Sequence, residues 1–401
     1  MFEASPRPEL LALLAAVKAE PDDDTARLVL ADWLQEQDHE ADRARGEFVR
    51  LHVRMARAGT PAAEVSALWA EVQRLWEQYH RAWVGPLADA GFSAWAYGAG
   101  RGLLFPSIDG AQLVARAARQ AAASEAYAWV GGLAFARLSS LQNRAFVRSP
   151  LIESLIGLRY DECHVESWAV EELAHAPGAA NLRWLVLRGL RVGAIAAEAV
   201  GASPRLARLR RLELDYAQLS DAGFKALCDS PHLNELRSLA VRNDSLSIHS
   251  ARAFADATGL PALTELDLGG TNRIGPDGTL ILVHKPAAGR LRKLNLWSND
   301  VADYGAEAIC RAPHLSNLTH LDVSGNLLTN RAAVAIAAAG HLRTLEELNL
   351  RTNRVSGEGA AAFCDSPHLA NLLRLDLVGN PIGAKAADRL RERFGDRVVL
   401  D

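Results

Sequence analysis

Four stretches decide the fold: LRKLNLWSND (Leu291–Asp300), LTHLDVSGNL (Leu318–Leu327), LEELNLRTNR (Leu345–Arg354) and LLRLDLVGNP (Leu372–Pro381). Each sets apolar residues at its first, fourth and sixth positions and an asparagine eight residues past its first leucine. Working backwards, the same pattern begins at Leu263, Leu236, Leu209 and Leu182, with a spacing of 27 residues and a single step of 28. A divergent copy starts at Leu155, with Leu158 and Tyr160 in register, and a weaker one near Val130, with Leu133 and Phe135. Other columns keep the period. An aliphatic residue stands ten past the first leucine (Val165, Val192, Leu219, Leu246, Val301, Leu328, Val355, Ile382), and proline recurs at 177, 204, 231, 313 and 367.

Each column has a physical reading. Alternation in L-x-L marks a short strand with its leucines inward. An asparagine leaving the strand can bond backbone groups that the turn leaves unpaired. Segments such as DAGFKALC and DYGAEAIC carry helical spacing, and proline stops each helix before the next strand. A single strand–turn–helix unit cannot bury its apolar faces alone, so the copies must stack on one continuous core. The loop GGTNRIG (Gly269–Gly275) holds the one inserted residue and reads as a bulged turn.

These motifs resemble leucine-rich repeats, in particular the longer ribonuclease-inhibitor-like type. The resemblance covers about residues 130–401 and implies an α/β solenoid: a horseshoe with a parallel β-sheet on its concave face and helices on its convex face. Leu190, Ala217 and Asp244 stand where the asparagine is expected, so the turn should differ in mid-array. Terminal repeats need caps. Val398–Leu400 falls where a further strand would begin, and RGLLFPSI (Arg101–Ile108) reads as the opposite capping strand.

Ahead of the repeats, residues 8–57 read as three helices, with Asp22 to Asp24 capping the second, and a fourth spans about 62–83. Trp69, Trp76 and Trp83 recur every seven residues on that fourth helix, as a packed seam would. The expected organisation is a small all-α domain over 1–84, a connecting and N-capping segment over 85–129, and an array of nine to ten repeats over 130–401 with a C-terminal cap. Glu20–His52 resembles the repeat-companion domain that accompanies leucine-rich repeats in planctomycete bacteria, through Pro21–Asp24, Arg27, Leu28, Ala31–Leu34 and Arg45–Leu51. That resemblance implies a bacterial, cytoplasmic protein and carries no activity with it.

Catalytic and metal chemistry find little footing. Cys-x-x-x-His occurs at Cys228/His232, Cys310/His314 and Cys364/His368, but these cysteines occupy a column that elsewhere holds alanine or glycine, in repeats that are not adjacent. They read as small core residues, neither metal ligands nor disulfide partners. The histidines at 232, 314, 341 and 368 fall at helix exits, where a donor can satisfy terminal carbonyls. No nucleophile elbow, P-loop or dinucleotide fingerprint occurs. No cofactor and no metal are expected. With 44 basic against 48 acidic residues there is no bulk positive field for nucleic acid. The opening MFEASPRPEL has no signal-peptide pattern, and no apolar run suits a membrane span.

What remains is the sheet face. Alternation turns positions two, four and six past each first leucine toward solvent. The middle column carries Glu213, Asp267, Asp322 and Asp376 among Val186, Ala240, Asn295 and Asn349. The flanking columns carry Trp184, Arg188, Arg211, Asp215, Arg242, Lys293, Trp297, His320, Glu347, Arg351 and Arg374. Trp184 and Trp297 lie four strands apart, about 19 Å. Mixed charge with isolated Trp and Arg suits a protein interface. The reading is therefore a monomeric, non-enzymatic interaction scaffold. Its partner-binding residues are expected to be Trp184, Arg188, Arg211, Glu213, Asp215, Arg242, Asp267, Lys293, Trp297, Asp322 and Arg351. Two alternatives stand beside it: a regulator or inhibitor of an enzyme or GTPase, as some ribonuclease-inhibitor-like proteins are, and a spacer whose helical domain does the binding.

Overall fold

The computed structural model describes residues 6–57, 59–96 and 101–401, so the reading of the first five residues as leaderless lies outside it. Within the described residues the chain forms two compact units, Met1–Val186 and Leu187–Asp401.

The first unit opens with four helices: α1 (Pro8–Ala19), α2 (Thr25–Gln35), α3 (Glu40–Ala56) and α4 (Ala62–Asp89). Their apolar faces meet in a core that includes Leu10, Leu14, Leu30, Leu34, Phe48 and Val72. The tryptophan seam packs as its spacing implies. Trp83 meets Phe48 edge-on at 5.1 Å and stacks on Tyr79 at 5.9 Å, while Trp76 lies 6.3 Å from Trp83. α4 runs past the expected end at Trp83 and through Pro86. Burial of Val84 and Leu87 in the added turn offsets the hydrogen bond that proline cannot donate. Within the expected Asp22–Asp24 cap of α2, one carboxylate makes the bond. Asp23, and not Asp24, accepts the Thr25 N–H at 2.8 Å, and Asp24 instead pairs with Arg101 at 2.9 Å. Arg7 ties this unit together by binding Asp42 of α3 at 2.7 Å and Glu125 at 2.7 Å.

Four strands follow: β1 (Phe92–Ala96), β2 (Phe105–Asp109), β3 (Gly132–Ala136) and β4 (Gly157–Asp161). β1 pairs antiparallel with β2, and from β2 onward the ladder is parallel, with Leu133 beside Leu158 and Phe135 beside Tyr160. The weak repeat at Val130 and the divergent one at Leu155 are thus in register.

After β5 (Trp184–Arg188), the second unit carries β6 (Arg211–Asp215), β7 (Ser238–Arg242), β8 (Glu265–Asp267), β9 (Lys293–Asn295), β10 (His320–Asp322), β11 (Glu347–Asn349), β12 (Arg374–Asp376) and β13 (Val398–Val399). From β6 to β13 every neighbour is parallel and in sequence order. The motif leucines are buried on one side of this ladder, against a row of helices such as Ala302–Cys310 and Asn330–Ala338. β13 covers the last edge of the ladder, Val398 beside Leu375, as the terminal RVVL implies. The extra residue of the long repeat is absorbed in the turn after β8, where Gly270 takes φ +90°, so Leu266 and Leu294 remain partners. Proline does more than end helices: Pro177, Pro204 and Pro313 each begin a 3-10 turn that leads to the next strand.

A ladder of buried asparagines runs behind the turns. Asn326 Oδ1 accepts the N–H groups of Asn299 (2.9 Å) and Val301 (3.1 Å), while its Nδ2 donates to the Leu296 and Ser324 carbonyls (2.8 and 3.0 Å). Asn353 repeats the arrangement one turn on, with the N–H groups of Asn326 and Leu328 each at 3.0 Å. Each side chain therefore satisfies backbone of its own turn and of the preceding repeat, which is why the column tolerates so little variation in the last repeats.

Candidate functional site

The side of the second unit's ladder away from its helices bears three columns of side chains, set by the register of β6 to β12. The first two columns, with Arg242 of the third, line a cavity of about 420 Å³. The first column runs Arg211, Ser238, Glu265, Lys293, His320, Glu347, Arg374, and the middle one Glu213, Ala240, Asp267, Asn295, Asp322, Asn349, Asp376. The third follows the strands outward and holds Asp215, Arg242, Trp297, Ser324 and Arg351.

The middle column is not solvated as strand alternation suggests. It forms the cavity floor: Glu213 is 5% exposed, Asp376 6%, and Asp267 and Asp322 are half-buried. The reason lies in its neighbours. Long arginine side chains from the flanking columns fold over the floor to reach its carboxylates. Arg211 Nε donates to Glu213 at 2.6 Å, Arg242 Nε to Asp267 at 2.7 Å, and Arg374 to Asp376 at 3.0 Å. Arg188 stands 3.7 Å from both Glu213 and Asp215. Lys293 pairs with Glu265 at 3.0 Å. Ser238 and Glu265 are face residues of the lining that sequence reasoning passed over, although their column was the signal.

Asp322 is bound differently. Its carboxylate accepts from Ser324 N–H (2.9 Å), Ser324 Oγ (2.6 Å) and Asn349 Nδ2 (2.7 Å), all neutral donors. Burial, and then the charge of Asp267, push its carboxyl above the usual range despite those bonds. Arg351 is exposed, and it lies outside the cavity lining together with Arg188, Asp215 and Trp297.

The two tryptophans are not free rings. Trp297 lies over Gly269, where an added Cβ would come within 2.0 Å of the indole. In the first unit, Trp184 lies over Gly157, where a Cβ would meet the ring at 1.7 Å, and it touches Phe105 at 5.5 Å between centroids. Each glycine makes room for the neighbouring strand's indole. Part of each ring's area is thereby spent on packing.

The cysteine and histidine columns serve the scaffold. Cys228 is buried and Cys310 and Cys364 are half-buried, all as free thiols, and burial pushes the Cys310 thiol up to about 12. His314 Nε2 lies 2.6 Å from the Val283 carbonyl and His341 Nε2 3.3 Å from that of Ile309, at the ends of the preceding repeats' helices. Among the described residues, no group of three or more His, Cys, Asp or Glu is arranged to hold a metal, and no helix is long and apolar enough to cross a membrane.

The family profile described as Leucine Rich repeat matches residues 291–310, 314–337 and 341–364. No curated protein matches the sequence. Among solved structures, human 5T4 (Wnt-activated inhibitory factor 1, trophoblast glycoprotein) is similar at 25% identity and a TM-score of 0.40, over 55% of this chain and 79% of that one. An internalin (inlF) from Listeria monocytogenes is similar at 16% identity and a TM-score of 0.43, over 70% of this chain and 75% of that one.

Proposed function

For a chain built on leucine-rich repeats, we propose a non-enzymatic role in binding a protein partner on the open sheet face of the second unit. The carrying observation is the cavity of about 420 Å³ on a face that the chain's own helices leave uncovered, floored by carboxylates and rimmed by arginines. Repeat arrays of this kind use an extended sheet face because each strand contributes one independent side chain per column. The contacts assigned to the partner are Arg188, Arg211, Glu213, Asp215, Arg242, Asp267, Lys293, Trp297, Asp322 and Arg351, with Trp184 on the face of the first unit. Four unpaired cysteines support a reducing compartment, in line with a cytoplasmic location.

The test is capture by the immobilised full chain from extracts of its source cell, set against Ser238→Trp, which fills the cavity from β7. A partner held by the wild-type protein and lost with Ser238→Trp, at an unchanged melting temperature, supports the reading. Equal recovery by both proteins places binding elsewhere.

A further inference from the structure

We infer that the cavity of the second unit receives a basic side chain, arginine or lysine, presented by the protein partner, and that Asp322 and Glu347 are its counter-charges. This rests on the reading of the open face as a protein-binding surface and names the chemistry that surface selects.

The argument is one of pairing. Four cationic side chains line the cavity, and each is already matched to a lining carboxylate: Arg211 to Glu213, Arg242 to Asp267, Lys293 to Glu265 and Arg374 to Asp376. Six carboxylates line it, so two are left over, Asp322 and Glu347. Asp322 meets only the neutral donors of Ser324 and Asn349. Glu347 lies 3.6 Å from the His320 ring and stands beside Arg374, whose guanidinium is held by Asp376.

The two leftover carboxylates are also neighbours. β10 and β11 are parallel with His320 beside Glu347 and Asp322 beside Asn349, so Asp322 and Glu347 sit diagonally on adjacent strands. Strand spacing and rise put their Cα atoms about 8 Å apart. One guanidinium or ammonium group between them reaches both. Asp322 is half-buried, and a charge withdrawn from water without a counter-ion is costly until a cation arrives. An anionic or neutral partner segment would leave that cost in place. The space is adequate, since about 420 Å³ exceeds the volume of one long side chain and lies within the usual range for a binding pocket.

The test uses the full chain and a displayed library of random twelve-residue peptides, selected on the wild-type protein and filtered for loss of capture by Ser238→Trp. The expected outcome is a set of peptides with Arg or Lys at one fixed position. Binding of one such peptide, read by fluorescence anisotropy, should weaken about tenfold or more with Asp322→Asn/Glu347→Gln, the loss of a charge-assisted bond. Asp388→Asn, which alters an exposed carboxylate on the last helix outside the cavity, should leave it unchanged. Replacing the peptide's arginine by citrulline should weaken binding to the wild type by the same factor and make no further difference with the double variant. A merely structural effect of the two substitutions would not produce that coupling.

Cavity-dependent peptides with no basic position overturn the inference and leave the face reading intact. So does a citrulline peptide that binds the wild type as tightly as its parent, or a cavity that takes Ca²⁺ and ignores the peptides. Peptides that are all indifferent to Ser238→Trp remove the face reading and this inference together.

Discussion

Asn272 Oδ1 accepts the backbone N–H of Asp244 at 2.9 Å, so the one carboxylate in the asparagine column is held from behind by the asparagine of the next repeat. Asp244 in turn accepts the Leu219 N–H at 3.0 Å through Oδ1, while its buried Oδ2 has no partner. An asparagine donates at that position and a carboxylate cannot. Burial consequently raises the Asp244 carboxyl to about 6.

Asp244→Asn should therefore stabilise the protein by about 2 kcal/mol at pH 7.5, measured by urea denaturation. The sign with pH follows from a folded-state value above the unfolded one. The wild-type carboxyl carries no penalty below about pH 4, and stability is lost as pH rises through 6. The advantage of the asparagine variant should grow between pH 4 and 6 and level off above. An advantage that is constant across that window would refute the account.

Asn326→Ala should cost about 3 kcal/mol, because two N–H groups and two carbonyls lose their partner inside the protein. Amide hydrogen exchange should accelerate at Asn299 and Val301, the two residues whose N–H groups are released. Asn326→Asp keeps the acceptor and loses the donor, so it should fall between the two and acquire the pH dependence of Asp244.

Gly269→Ala and Trp297→Ala should not be additive. The added methyl collides with the indole at 2.0 Å, so the first change alone should cost about 2 kcal/mol and shift tryptophan emission. In the double variant the collision is gone, and its cost should fall short of the sum by more than about 0.5 kcal/mol. The same cycle at Gly157 and Trp184 probes the first unit. Additive costs would mean that the rings do not rest on these glycines.

His52 should make the first unit acid-sensitive. It is buried against Phe48, with ring centroids 4.4 Å apart, and burial lowers it to about 4. Its folded-state value lies below the unfolded one, so the stability it contributes is present above about pH 6.5 and is lost as pH falls toward 4, about 3 kcal/mol in all. His52→Leu should flatten that slope in denaturation followed by tryptophan fluorescence.

The period of 27 residues determined by itself the strands, the parallel register and the buried columns, down to the divergent copies at Leu155 and Val130. Stacking explains why: a residue at one position in a repeat meets the same position in the next, so a column in the sequence is a row of contacts in space. The asparagine ladder and the small-residue cysteine column were legible for the same reason. Local capping was less so, since Asp22, Asp23 and Asp24 are equivalent in composition and only Asp23 bonds the Thr25 N–H. What only the tertiary structure decided is how the face is used by its own side chains. Alternation assigns Glu213 to solvent, yet Arg211 and Arg242 fold over it, and the tryptophans come to rest on glycines one strand away. Apart from Arg211, which reaches along its own strand, those outcomes depend on side chains that reach between strands 25 or more residues apart in sequence. Which carboxylates end up without a cation, Asp322 and Glu347, is a property of the whole row and of no single repeat.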